Sequence, residues 1–113
     1  MSCNDGARLG SRLFALNLRL AELDEEARRT RMEVVRLAAR LDDARLARIL
    51  ETEGPGDPDQ LAPELERLGS ALARQEALIA RVKKSQADAR VAYSLHRIRE
   101  RRRALEPSVE EER

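Results

Sequence analysis

His96 is the one side chain in the sequence whose charge changes near neutral pH at its ordinary pKa, and Tyr93 stands three residues before it. On a helix that spacing puts both on one face, where a general acid/base pair can be drawn. No nucleophile, glycine-rich loop or carboxylate cluster surrounds them, so the simpler reading is a polar pair near one end of a packing seam. Cys3 has only Arg8 nearby in sequence to lower its pKa, and reads as an inert terminal thiol. With one Cys and one His in 113 residues there is no internal disulfide and no set of zinc-like ligands. The run Gly54-Pro55-Gly56-Asp57-Pro58-Asp59-Gln60 has the glycines of a phosphate loop but no Lys-Ser/Thr after it and no strand before it; it reads as a turn. No catalytic residues, metal or cofactor are expected.

The remaining chemistry is electrostatic. Arg97, Arg99, Arg101, Arg102 and Arg103 crowd into seven residues, and over 81–103 nine basic residues against two acidic ones give +7. Such a density can neutralise nucleic-acid phosphates or lie on an anionic surface. The opposite sign occurs elsewhere: over 42–67 eight acidic residues against three arginines give −5. A solvated helix face matched by acidic residues of a partner or of the tail is the simpler account. Nucleic-acid binding through 97–103 is the alternative. Phe14 and Tyr93 are too few to form a base-stacking platform.

These groups need a scaffold, and composition indicates which kind. Charged residues make up 38% of the chain, apolar residues 42% and aromatic residues 2%, with Ala, Leu, Arg and Glu dominant. That is the usage of long helices and coiled coils; a β-sandwich or an enzyme core built on large rings is excluded. No apolar run reaches the length of a membrane span, and Met1–Gly10 lacks the apolar core of a secretory signal, so an intracellular protein, cytoplasmic or nuclear, is expected.

From Leu9 the apolar positions step alternately by four and three: Leu9, Leu13, Leu16, Leu20, Leu23, Ala27, Thr30, Val34, Leu37, Leu41 and Ala44. A 3.5-residue period held this long is a coiled-coil seam. The same period returns at Leu61, Leu65, Leu68, Leu72, Gln75, Ile79, Val82, Gln86, Ala89, Tyr93 and His96. Between them, two glycines and two prolines in five residues interrupt any helix. The pattern predicts an all-α antiparallel helical hairpin as one domain over 1–106, with helix one at about 5–53, a turn at 54–62 and helix two at about 63–106. Gly54 is expected to close the first helix in the left-handed conformation, and Pro63 to delay the second. Pro107 is expected to end the second helix, leaving a disordered charged tail at 107–113.

With the turn centred near 58, facing residues have numbers that add to about 116. Val34 then meets Val82, Ala27 meets Ala89, Leu23 meets Tyr93, Leu20 meets His96, and Thr30 meets Gln86 in a polar layer that sets register. A second apolar line lies about 150° around helix one from the seam, at Phe14, Leu18, Ala21, Met32, Val35, Ala39, Leu46 and Ile49. Val91, Leu95, Ile98 and Leu105 do the same on helix two. In that register Leu18 is level with Ile98, so Phe14, Leu18, Val91, Leu95 and Ile98 are expected to form a partner-binding surface. The function this implies is a non-enzymatic scaffold subunit, homo- or hetero-oligomeric, whose helices join other coiled-coil chains in a multi-helix bundle.

Overall fold

The computed structural model describes residues 2–105, with side-chain environments from Asp5 onward. It is all-α: helix α1 spans Ser2–Ile49 and helix α2 spans Pro58–Leu105, joined by a short reversal into an antiparallel hairpin. The helices form because strong helix formers fill them and because i,i+3 and i,i+4 ion pairs support their surfaces. Arg28 pairs with Glu25 at 2.9 Å, Arg29 with Glu25 at 3.3 Å and Arg67 with Glu64 at 2.9 Å. No helix among the described residues is long and apolar enough to cross a membrane. Pro107, the tail at 107–113 and the surroundings of Cys3 lie outside the description.

The reversal is tighter than the sequence predicts, occupying 50–57 in place of 54–62. α1 stops at Ile49 through a Schellman closure, in which the N–H of Thr52 donates to the carbonyl of Ala47 at 2.9 Å and that of Glu51 to Arg48 at 3.2 Å. The left-handed residue is Glu51, at φ 56°, and not Gly54. Gly54 serves close approach instead: a Cβ there would lie 2.7 Å from that of Ala47. The Asp57 side chain caps α2 by accepting from the N–H of Asp59 at 3.0 Å, and Pro58 opens the helix. Pro63 is carried inside the helix rather than delaying it. Starting at Pro58 keeps Leu61 on the seam, which the later start would have left in the link. Arg48 staples the reversal, reaching Asp57 at 2.8 Å and Asp59 at 3.4 Å, while Arg40 Nε donates to the carbonyl of Pro55 at 2.6 Å.

The described residues fall into two compact units, one drawn from 2–21 and 80–105, the other Glu22–Ile79. The second holds the reversal and most of the fully buried apolar side chains: Leu23, Ala27, Leu41, Ala44, Ala47 and Ile79, with Leu23 and Leu41 only 2% and 3% exposed. Arg31 crosses between its helices to Glu76 at 3.5 Å. In the first unit Ala89 is buried, and Leu9, Leu13, Leu16, Leu20, Val82, Gln86, Tyr93 and His96 are half-buried around it. Its helices approach where α1 carries glycine. A Cβ on Gly6 would sit 2.8 Å from His96 Nε2, and one on Gly10 3.6 Å from the Tyr93 ring.

Every seam position named from the sequence is buried or half-buried, so the heptad phase of both helices stands. The register does not. Gly6 faces His96, numbers that add to 102, and Asn17 meets Gln86, which add to 103. At the reversal Ala44 and Pro58, both buried, again add to 102. The facing layers expected at 116 therefore do not form: Val34 does not meet Val82, nor Ala27 Ala89, Leu23 Tyr93 or Leu20 His96. The slip is two heptads. It follows from the earlier start of α2, because a seven-residue repeat accepts any shift by whole heptads and the link length selects among them.

Candidate interaction surface

The slip redistributes the polar layer. Thr30 and Gln86 do not pair, and each is satisfied differently. The Thr30 hydroxyl donates to the carbonyl of Glu26 on its own helix at 3.1 Å, which lets it sit on the seam without a partner across it. Gln86 Nε2 donates to Asn17 Oδ1, a residue flanking the seam. Asn17 is the residue sequence reasoning missed: it lies one position off the heptad line, and only the register shows that it is opposite Gln86. Gln75 Oε1, on the seam of the other unit, is buried without a hydrogen-bond partner.

His96 and Tyr93 do share a face and do flank the seam, as their spacing implies. Each has a charged neighbour. His96 Nε2 lies 3.7 Å from Glu100 Oε1, one turn on along the same helix, and the Arg97 guanidinium sits 5.9 Å from the centre of the Tyr93 ring. Among the described residues no group of His, Cys, Asp and Glu has the arrangement to hold a metal ion. A shallow groove runs beside His96, lined by Asp5, Arg8, Leu9, Ala92, Leu95 and Arg99. It is an open flank of a helix pair with no enclosed space.

The side chains named for partner binding are all on the surface. Phe14 is 70% exposed, Leu18 54%, Val91 60%, Leu95 46% and Ile98 49%. They do not make one patch. In an antiparallel pair the two flanks of the seam are distinct, and the residues that flank it on one side of α1 meet their equivalents on α2. Asp5, Ala92 and Arg99 occupy equivalent heptad positions and line one groove together with Leu95, so Leu95 leans to that flank, while Val91 and Ile98 point away from the seam. Phe14 leans to the other, where Asn17 meets Gln86. Leu18 is also not level with Ile98, because that pairing needed the 116 register.

What survives is two separate apolar lines. That of α1 continues beyond Phe14 and Leu18 through Met32 and Val35, both exposed and rimmed by Arg28, Arg31 and Arg36, to Leu46 and Ile49. It is broken at Glu25 and Arg28, and again at Asp42. The ion pair of Glu25 with Arg28 holds the Glu25 carboxyl below its ordinary pKa, chiefly through the hydrogen bond from Arg28, and the same bond raises the Arg28 guanidinium. At the reversal, hydrogen bonding to Asp59 likewise raises Arg48.

Arg97, Arg99, Arg101, Arg102 and Arg103 are all exposed. At 100° per residue they spread over about 240° of the circumference of α2, so no single face of the helix carries them all. Arg97 is over Tyr93, and Arg103 lies 3.9 Å from Glu100.

No family model, characterised protein or solved structure matches this chain.

Proposed function

We propose that the protein is a non-enzymatic structural subunit whose two helices join further helices in a bundle and so assemble a larger coiled-coil complex. The observation that carries this reading is the exposed α1 line of Phe14, Leu18, Met32, Val35, Leu46 and Ile49, spaced by threes and fours or multiples of them, on a helix whose opposite face is already packed. Scattered surface leucines need no explanation, but a line at heptad spacing is the form in which a helix meets another helix. Burying each such side chain contributes on the order of 1.5–3 kcal/mol before association costs, so a few of them decide whether an assembly forms.

The test is the solution mass of the chain against its 12.8 kDa. A multimer is expected that Leu18→Glu with Ile98→Glu dissociates while circular dichroism stays helical. Arg101→Gln with Arg102→Gln should change the association much less, and mainly at low salt. The reverse ranking transfers the function to the basic segment. That second reading, a helical nucleic-acid-binding module, is favoured by the exposure of its five arginines, and it requires affinity that falls steeply with salt.

A further inference from the structure

The α1 line carries charge as well as apolar surface, and its charges are ordered. Glu22, Asp24, Glu25 and Glu26 precede Ala27, and Arg28, Arg29 and Arg31 follow it, so the helix reverses sign about one point. The apolar side chains to either side complement one another in size about the same point. We infer that the occupant of this face is a second copy of the chain, lying antiparallel on α1 about a two-fold axis level with Glu26 and Ala27. The inference rests on the bundle-subunit reading and names its partner.

Paired residues in this arrangement have numbers that add to 53. Glu25 then faces the Arg28 of the other copy, and Arg28 faces its Glu25. Leu18 faces Val35, and Phe14, 70% exposed in the single chain, faces Ala39. Met32 likewise faces Ala21, so large side chains meet small ones on both sides of the charged centre. The flanks agree: Glu22 and Arg29 lie on one side of the contact and Asp24 and Arg31 on the other, each pair within two residues of the same level. Glu25 and Arg28 already hold each other within the chain at 2.9 Å, so the two copies bring two such pairs together as a four-charge cluster.

Other alignments fail at the same two residues. A shift of one heptad in one direction sets Arg28 against Leu18; in the other it sets Glu25 against Val35 and Arg28 against Met32. Each removes a charge from water with no partner in place. A parallel, in-register pair stacks Glu25 on Glu25 and Arg28 on Arg28, which is repulsive. Apolar burial gives the contact its strength, and the charge reversal restricts it to one register and one direction. A C2 contact of this kind is closed, since each copy uses the same face, and it produces four helices in two hairpins.

Charge exchange tests the inference directly. Dissociation constants are measured by sedimentation equilibrium for the wild type, Glu25→Arg, Arg28→Glu and an equimolar mixture of the two variants, with helicity followed by circular dichroism. The wild type should reach twice 12.8 kDa, and each variant alone should associate at least about tenfold more weakly, since like charges then meet twice across the axis. The mixture should recover the dimer, because every Arg at 25 or 28 in one chain then faces Glu in the other. The internal Glu25–Arg28 pair stays broken in both variants, so recovery can come only from contact between chains. Variants that dimerise as tightly as the wild type, or a mixture that recovers nothing, overturn the inference. A multimer indifferent to the exchange but dissolved by Val91→Glu with Ile98→Glu overturns it and leaves the bundle-subunit reading standing. A wild-type chain that stays at 12.8 kDa overturns the second copy as the occupant.

Discussion

The unit formed by Glu22–Ile79 and the unit holding the chain ends use the same heptad grammar with different contents. In the first, Leu23, Ala27, Leu41, Ala44 and Ile79 are buried on the seam among half-buried neighbours, and Arg48 and Arg40 tie down the reversal. In the second, Gly6 and Gly10 sit opposite a histidine and a tyrosine, a Gln–Asn bond replaces an apolar layer, and most seam residues are half-exposed. The lesson is that periodicity places a residue on the seam but does not determine how much free energy the seam yields there. That depends on the volume facing it, and a glycine opposite a ring leaves little apolar area to bury.

The sharpest way to break this comparison is to truncate leucines in both units. Leu23→Ala and Leu41→Ala remove fully buried side chains and should each cost about 2–5 kcal/mol in urea unfolding followed by circular dichroism. Leu13→Ala and Leu16→Ala, half-buried, should cost under about half as much. Equal losses would mean the two seams are equally tight. A smaller contrast comes from one substitution made twice. Gly54→Ala drives a methyl into the Ala47 Cβ, which cannot rotate away, and should destabilise by about 1–3 kcal/mol. Gly6→Ala meets only the end of the His96 ring and gains about 1 kcal/mol of helix propensity, so its net effect should be near zero or stabilising. The same sign at both sites would refute the distinction.

The smallest effect is a pH dependence. The folded-state pKa of Glu25 is lowered by Arg28, so its contribution is present above the unfolded pKa and is lost as pH falls through the folded one. Melting temperature should fall slightly over that acidic window, and Arg28→Gln should remove that part of the slope. Both groups are exposed, so salt should flatten it too.

Thr30 and Gln86 show how far the sequence reaches. Both lie on the seam as their period implies, since hydrophobic period is a local property read within a few turns. Their pairing does not follow from it, because identical repeats fit together equally well at several offsets. The surface suffered in the same way: Phe14, Leu18, Val91, Leu95 and Ile98 are exposed as their heptad positions imply, but their union into one patch depended on a register that the fold does not use. Exposure follows from a residue's angle on its own helix. Proximity between helices does not.

The amino-acid order alone therefore determined two helices, their packed faces, their exposed apolar lines and the reversal of charge about Ala27, all of them consequences of spacing along one continuous backbone. Tertiary structure decided the two-heptad register, the left-handed Glu51 in place of Gly54, the helical acceptance of Pro63 and the meeting of Asn17 with Gln86. These depend on how an eight-residue link closes, with Asp57 as cap, Arg48 as staple and Gly54 against Ala47. A periodic seam is degenerate to whole-heptad shifts, and only the geometry of the chain reversal lifts that degeneracy.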